Sequence, residues 1–210
     1  MAIFRYAQRV PAQPFHHGNL RAVLLDHAEQ TLRDEGIDAL SLRELARQAG
    51  VSHGAPRNHF ADRQALLDAL AERGFDRLIE IVRAAIKDGD DYRAVFQKVA
   101  VAYVKFAVSD AALMELMFSA KTTDPPEGVR KAAERLFATF DELIERGREA
   151  GWFQETDSYR LKLLFAATMQ GTATLLAAGR ITRKQATSLV ADATSLILQS
   201  HGGGPHKYDR

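Results

Sequence analysis

The stretch SLRELARQAGVSHGAPRNHFADRQALL, Ser41 to Leu67, decides how the whole chain is read. Ser41 is an N-cap residue type with Glu44 three places on, and Leu42, Leu45, Ala46 and Ala49 recur at helical spacing behind it, so a short helix with one buried face is expected. Gly50 can take the left-handed backbone that ends a helix, Val51 returns an apolar side chain to the core, and Ser52 is placed to cap a second short helix. That second helix is oddly polar. Around Gly54, Ala55 and Pro56 stand His53, Arg57, Asn58 and His59, donor-rich side chains of the kinds that meet base edges and phosphates. A further helix starts after Asp62. The pattern is a helix-turn-helix, although the polar heptapeptide by itself reads more readily as a solvated turn between two core helices.

Its surroundings are more specific. From Phe15 to Leu70 the chain is similar throughout to the N-terminal DNA-binding region of TetR/AcrR-type transcriptional regulators, in the HHGNLR start, the EGIDALSLRELA join, the AGVSHGAP turn and the HF that closes the polar helix. The other two thirds resemble that family in helical layout alone. The resemblance implies that the polar helix lies in the DNA major groove, with His53, Gly54, Ala55, Arg57, Asn58 and His59 facing bases and Ser41, Arg43, Ser52 and Arg63 at phosphates. Ser41 and Ser52 keep helix capping as their plain role beside it. Two positions depart from the family: Arg57 stands where an aromatic residue, usually tyrosine, is common, and Arg63 where lysine is usual. The second keeps its charge. The first puts a guanidinium, able to grip a phosphate or pair bidentately with guanine, in place of a flat phenol, so the operator sequence does not carry over from relatives.

Composition fits this reading without proving it. Two hundred and ten residues, 46% of them hydrophobic, can bury a real core, and a net charge of +1 gives no chain-wide basic signature. Between Ser41 and Arg63 four arginines face two acids, and five of the seven histidines lie before residue 65. With no cysteine and no continuous apolar run in the first fifteen residues, a bacterial-type cytoplasm is expected. Leu163 to Gly179 is uncharged but interrupted by Thr168, Gln170, Thr172 and Thr174, and it falls short of the roughly 20 apolar residues of a membrane span. It reads as a buried helix or a subunit interface. The pairs His16/His17 and His201/His206 lack Cys or acidic companions at ligand spacing, so neither a metal nor a cofactor is expected. Nothing resembles a nucleophile elbow, a phosphate loop or a metallopeptidase helix, and scattered Asp and Glu read as solvated faces.

Along the rest of the chain the apolar spacing predicts an all-α protein of about nine helices: an N-terminal three-helix helix-turn-helix unit, 15–65, a helical bundle, 66–200, and flexible ends, 1–14 and 201–210. The long fourth helix, apolar on more than one face, would link the two units. In the bundle, Phe106, Met114, Met117, Phe118, Trp152, Phe165 and Met169 are candidates to line a ligand pocket, with plain core as the alternative for each. The last two long helices carry small and aliphatic surfaces, Ala166, Thr168, Gly171, Ala173, Leu175 and Ala178 on one and Leu189, Ala193, Leu196 and Ile197 on the other, with internal core as the alternative for each. The resemblance implies that these helices pair with their copies in a homodimer suited to a palindromic double-stranded operator. The expectation is therefore a DNA-binding regulator, a repressor released by a small apolar or amphipathic effector of unknown identity, with no enzymatic activity and no membrane partner. Alternatives are an activator of the same fold, a helical protein that carries a small molecule or a protein partner without ligand-gated repression, and a helical enzyme, which would need a catalytic constellation.

Overall fold

Caps and glycines fix where the helices begin and end. The computed structural model describes residues 20–87, 91–119 and 125–201. These contain eight α-helices: α1 (Leu20–Glu35), α2 (Leu42–Gln48), α3 (Arg63–Lys87), α4 (Tyr92–Ser109), α5 (Ala111–Ser119), α6 (Glu127–Glu149), α7 (Ser158–Ala177) and α8 (Arg183–His201). Two single turns of 3-10 helix, Ile37–Ala39 and Ala55–Asn58, complete the order. Asp62, Asp91 and Asp157 each accept a backbone N–H three residues on, from Ala65, Ala94 and Arg160, at 2.8, 3.1 and 2.7 Å. Thr182 and Gln185 cap α8 reciprocally: Thr182 Oγ1 accepts from Gln185 N–H at 3.2 Å and Gln185 Oε1 from Thr182 N–H at 2.8 Å. Gly179, at φ +65°, ends α7 by letting Arg180 N–H reach back to Leu175 O at 2.9 Å.

The expected third helix is the exception, being one 3-10 turn. Pro56 has no N–H with which to close an α bond onto Ser52 O, and Gly54 ahead of it favours no helix, so the chain closes i→i+3 bonds instead. Ala55 donates to Ser52 O at 3.0 Å and Arg57 to Gly54 O at 3.1 Å. The proposed flexible ends, together with His16, His17 and His206, lie outside the described residues apart from His201, which ends α8.

Helix α3 is the hub, packing against α1, α4, α5 and α6, while α7 and α8 close over α4. The apolar core runs unbroken from Leu24 on α1 through Phe75 and Leu78 on α3 to Ile197 and Leu198 on α8. Burial of this kind supplies most of the stabilisation, at roughly 25 cal/mol per Å² of apolar surface removed from water. Among the described residues no helix is long and apolar enough to cross a membrane.

A polar joint crosses this core between α1 and the bundle. Asp110, buried at the break between α4 and α5, accepts Arg33 of α1 at 2.6 Å and Arg77 of α3 at 3.2 Å. Arg77 also holds Glu29 of α1 at 2.9 Å, with its guanidinium carbon 5.4 Å from the centre of the Phe106 ring, and Arg73 pairs with Glu29 at 2.8 Å and with Asp26. The hydrogen bond to Asp110 raises the Arg33 pKa further above its ordinary value, against the opposing cost of burial. These acids were expected to be solvated faces; Asp110 and Glu29 are instead the anchors of one network. Asp110→Ala is expected to lower stability to urea by about 1–3 kcal/mol, because it removes the buried acceptor that Arg33 and Arg77 share and leaves Arg77 with Glu29 alone. Arg83→Ala, which removes only the exposed pair with Glu142, should cost less than about 1 kcal/mol. Equal losses for the two variants would remove any special weight from the joint.

Candidate nucleic-acid interface

The helix-turn-helix is built from short-range bonds that leave one face unused. Ser41 Oγ accepts from Glu44 N–H at 3.2 Å and so caps α2. The return half of a capping box is missing, because the Glu44 carboxylate is bound by Arg47 at 2.5 and 2.9 Å and by Gln48 at 3.2 Å. The Arg47 hydrogen bond holds the Glu44 carboxyl below its ordinary range, and Glu44 in turn raises Arg47. α2 ends on Gly50 at φ +67°, with Gly50 N–H on Arg47 O at 3.2 Å and Val51 N–H on Ala46 O at 3.0 Å.

The polar turn that follows is pinned by two side chains. Pro56 is buried and Phe60 is 2% exposed, with His59 and Phe60 N–H both bonded to Pro56 O at 3.0 and 2.9 Å. Between these anchors Ser52, His53, Gly54, Arg57, Asn58 and His59 are exposed, and Ala55 is half-buried. Ser52 holds the turn through its carbonyl; no side-chain cap bond opens it. Arg43, His53, Arg57, Asn58 and His59 form no side-chain hydrogen bond or ion pair among the described residues. With Arg47 neutralised by Glu44, Arg43 and Arg57 are the uncompensated cations of this surface. Arg21 adds a third that the sequence reading passed over: it is exposed on α1 with its guanidinium 5.4 Å from the Phe60 ring centre. A contact across 39 positions leaves no local signal, so only the fold brings it to this turn.

Arg63 is differently employed. Its guanidinium donates to Leu40 O at 2.9 Å and to Ile37 O, clasping the α1–α2 connection onto the first residue of α3. Nine of the ten candidates thus lie at α2 and the polar turn, and the tenth, at the start of α3, fastens the α1–α2 connection.

The seven candidates for a ligand pocket are dispersed. Met114 and Phe118 meet on an open groove of about 660 Å³ between the end of α4, α5 and α7, where Ala107, Ala173 and Ala177 supply the floor and Glu115 and Gln170 the polar groups. Gln170 is held by the buried Tyr103, whose hydroxyl donates to Gln170 Oε1 at 3.4 Å and whose pKa is pushed up by burial. Phe106, Met117, Phe165 and Met169 are buried in the packed core, Phe165 amid the rings of Phe96, Tyr103 and Phe140. Trp152 lies elsewhere, against Tyr92 and beneath Arg93. Among the described residues no group of three or more His, Cys, Asp or Glu side chains could hold a metal ion.

Comparison with known proteins agrees with this layout. A sequence model of bacterial regulatory proteins of the tetR family matches residues 24–70, and one described as a tetracyclin repressor-like C-terminal domain matches residues 96–196. A solved structure of a protein of unknown function from Rhodococcus sp. RHA1 is 40% identical, covers 91% of this chain and 100% of that one, and superposes with a TM-score of 0.82. The HTH-type transcriptional regulator AlkX of Mycobacterium tuberculosis is 28% identical over 72% of each chain. The HTH-type transcriptional activator FasR of Mycolicibacterium smegmatis is 28% identical over 68% of this chain and 69% of its own.

Arg57 gives the sharpest test of the polar turn. If it reads a guanine, Arg57→Ala is expected to cost about 1–3 kcal/mol and to relax preference at one base of each half-site. If it holds a phosphate, affinity falls evenly over all sequences and the salt dependence flattens by about one unit of slope per contact. Binding to a panel of single-base DNA variants at several salt concentrations separates the two, and an alanine variant that binds like the parent removes Arg57 from the interface.

Proposed function

The chain belongs to the TetR family of bacterial regulatory proteins, and from that premise we propose that it is a homodimeric repressor of transcription, released from a palindromic operator when a small apolar or amphipathic molecule binds its helical body. The observation that carries the reading is the exposed row His53, Arg57, Asn58, His59, held outward by buried Pro56 and Phe60 with every side-chain donor unspent. Residues 15–65 are the DNA-reading unit and 66–200 the effector and dimer unit, with α3 common to both. Ser41, Arg43 and Ser52 meet phosphates beside the turn, and Arg63 serves by keeping α1 and α2 in register. The groove of Met114 and Phe118 takes the effector; its one carboxylate, Glu115, and its lack of a cation suit an apolar or weakly cationic molecule.

Dimerisation is supported by where the chain leaves its large apolar side chains. Apart from Ile37 and Phe118, those exposed among the described residues all lie on α7 and α8: Tyr159, Leu163, Leu164, Leu175, Leu189 and Leu196. Leu164, Gly171 and Leu175 share one stripe of α7, with the small Gly171 permitting close approach of a partner helix. Exposed apolar side chains gathered on two neighbouring helices are what a C2 interface covers, and the two-fold axis would set two polar turns at successive major grooves. Effector binding would shift the dimer between two geometries, by no more than its difference in affinity for them. The likeness to FasR, named an activator, favours activation as the second reading.

Selecting bound fragments from a random DNA pool is expected to return an inverted repeat; a pool with no enriched sequence would overturn the operator reading. Promoter fusions carrying that repeat, with and without the chain, distinguish repression from activation. Leu189→Glu is expected to yield a monomer in sedimentation and to lose operator affinity by tenfold or more, and a native chain that sediments as a monomer at micromolar concentration would sink the dimer.

A further inference from the structure

Among the grooves along helix α4, two lie against α7. One faces α5 and holds Met114 and Phe118. The other, of about 400 Å³, runs between α4 and the α7–α8 turn and lies within the roughly 300–1,000 Å³ typical of small-molecule sites. Its walls are aliphatic, three valines of α4 (Val101, Val104, Val108) facing Leu176 and Val190. Its rim is cationic, with Lys105 on one side and Arg183 on the other, and no carboxylate lines it. Neither cation has an ion-pair partner among the described residues. The remaining rim hydroxyls are already spent: Ser109 donates to Lys105 O at 2.9 Å and Thr187 to Arg183 O at 3.0 Å. The donors left at the mouth of this apolar groove are therefore the two charged ones, and the group that satisfies both is an anion.

We infer that this groove binds a small amphipathic anion, its aliphatic body along the valines and a single carboxylate between Lys105 and Arg183. The dimer face does not compete for it. On α8, Arg183 and Thr187 stand about 120° or more around the helix from the stripe of Leu189 and Leu196, given 3.6 residues per turn. The α8 cap formed by Thr182 and Gln185 fixes the helical turn that carries Arg183, so the rim is set before a ligand arrives. The position also has a consequence for control. Val108 and Ser109 of the groove directly precede Asp110, the carboxylate gripped by Arg33 of α1 and Arg77 of α3. An occupant that shifts the last turn of α4 thus acts on the contact holding the DNA-reading unit to the body. The binding step itself does not depend on the proposed role in transcription.

The test uses the full chain and two probes with the same tail and opposite heads, decanoate and decyltrimethylammonium, titrated by calorimetry below their micellar concentrations. Decanoate is expected to bind once per chain and at least tenfold more tightly than the cation. Lys105→Gln combined with Arg183→Gln should weaken decanoate tenfold or more and leave the cation unchanged; both side chains are exposed, so the fold, followed by thermal melting, should be unaffected. Thr187→Trp, which fills the groove from its exposed rim, should abolish binding of decanoate. Decanoate bound equally by the parent and the double variant, no binding at all, or loss of binding with Phe118→Ala in place of the rim variants would overturn the assignment. So would a rim variant that turns dimer into monomer, since the groove would then belong to a second copy. Operator affinity of the ligand-free chain is measured separately, so failure here leaves the DNA-reading proposal standing, and the reverse also holds.

Discussion

Two arginines from different helices converge on one buried carboxylate, and the arrangement of the molecule follows from that meeting. Asp110 ends α4 with its N–H on Phe106 O at 3.0 Å and starts α5 by accepting Met114 N–H at 2.8 Å, so its main chain is committed to both helices at once. Its side chain is committed to α1 and α3. Four helices therefore meet at a residue that cannot move without breaking a bond to each. Partly buried ion pairs of this kind add little net stability, since desolvation takes back much of the Coulomb gain. Their strength is geometric: an apolar contact tolerates sliding, whereas Arg33 and Arg77 can satisfy Asp110 in few relative positions of α1 and the bundle. Greasy packing holds the two units together, and the joint sets how they face each other.

The polar turn obeys the opposite logic. It is short, its bonds are local, and apart from Pro56 and Phe60 it contributes almost nothing to the core. Its exposed side chains keep rotamer freedom that DNA would have to remove, at up to about 2 kcal/mol for a long one such as Arg57. The scaffold offsets this by fixing the backbone beneath them, through the Gly50 turn on one side and the Arg63 clasp on the other. Rigid support under mobile tips is how a reading surface retains affinity without losing the ability to discriminate.

The boundaries of the helix-turn-helix were legible from its caps: Ser41 and Asp62 stand one residue ahead of α2 and α3, and Gly50 follows the end of α2. The 3-10 turn was not, because seven residues are too few for periodicity to tell helix from turn, and the weight of Gly54 beside Pro56 shows only in the bonds that form. Arg63 was legible as a cation and not as a clasp, since its acceptors are carbonyls 23 and 26 positions away. Composition also could not separate a pocket from a core. Phe165 and Met169 have the side chains of either; both are buried, and the rings of Phe96, Tyr103 and Phe140 surround Phe165. The same blindness hid Asp110, one acid among 27 Asp and Glu residues until arginines from two helices arrive beside it.

Pinning the polar turn by two buried side chains has a bearing on how such chains diversify. Residues 53, 57, 58 and 59 are exposed, so by the ordinary behaviour of exposed sites a substitution at each should leave the fold within about 0.5 kcal/mol of where it was. A duplicated copy could therefore acquire a new target by drifting at these four positions while both copies remained fully folded. On the proposed reading of the turn, Arg57 is one such step, a change of address written on an unchanged envelope.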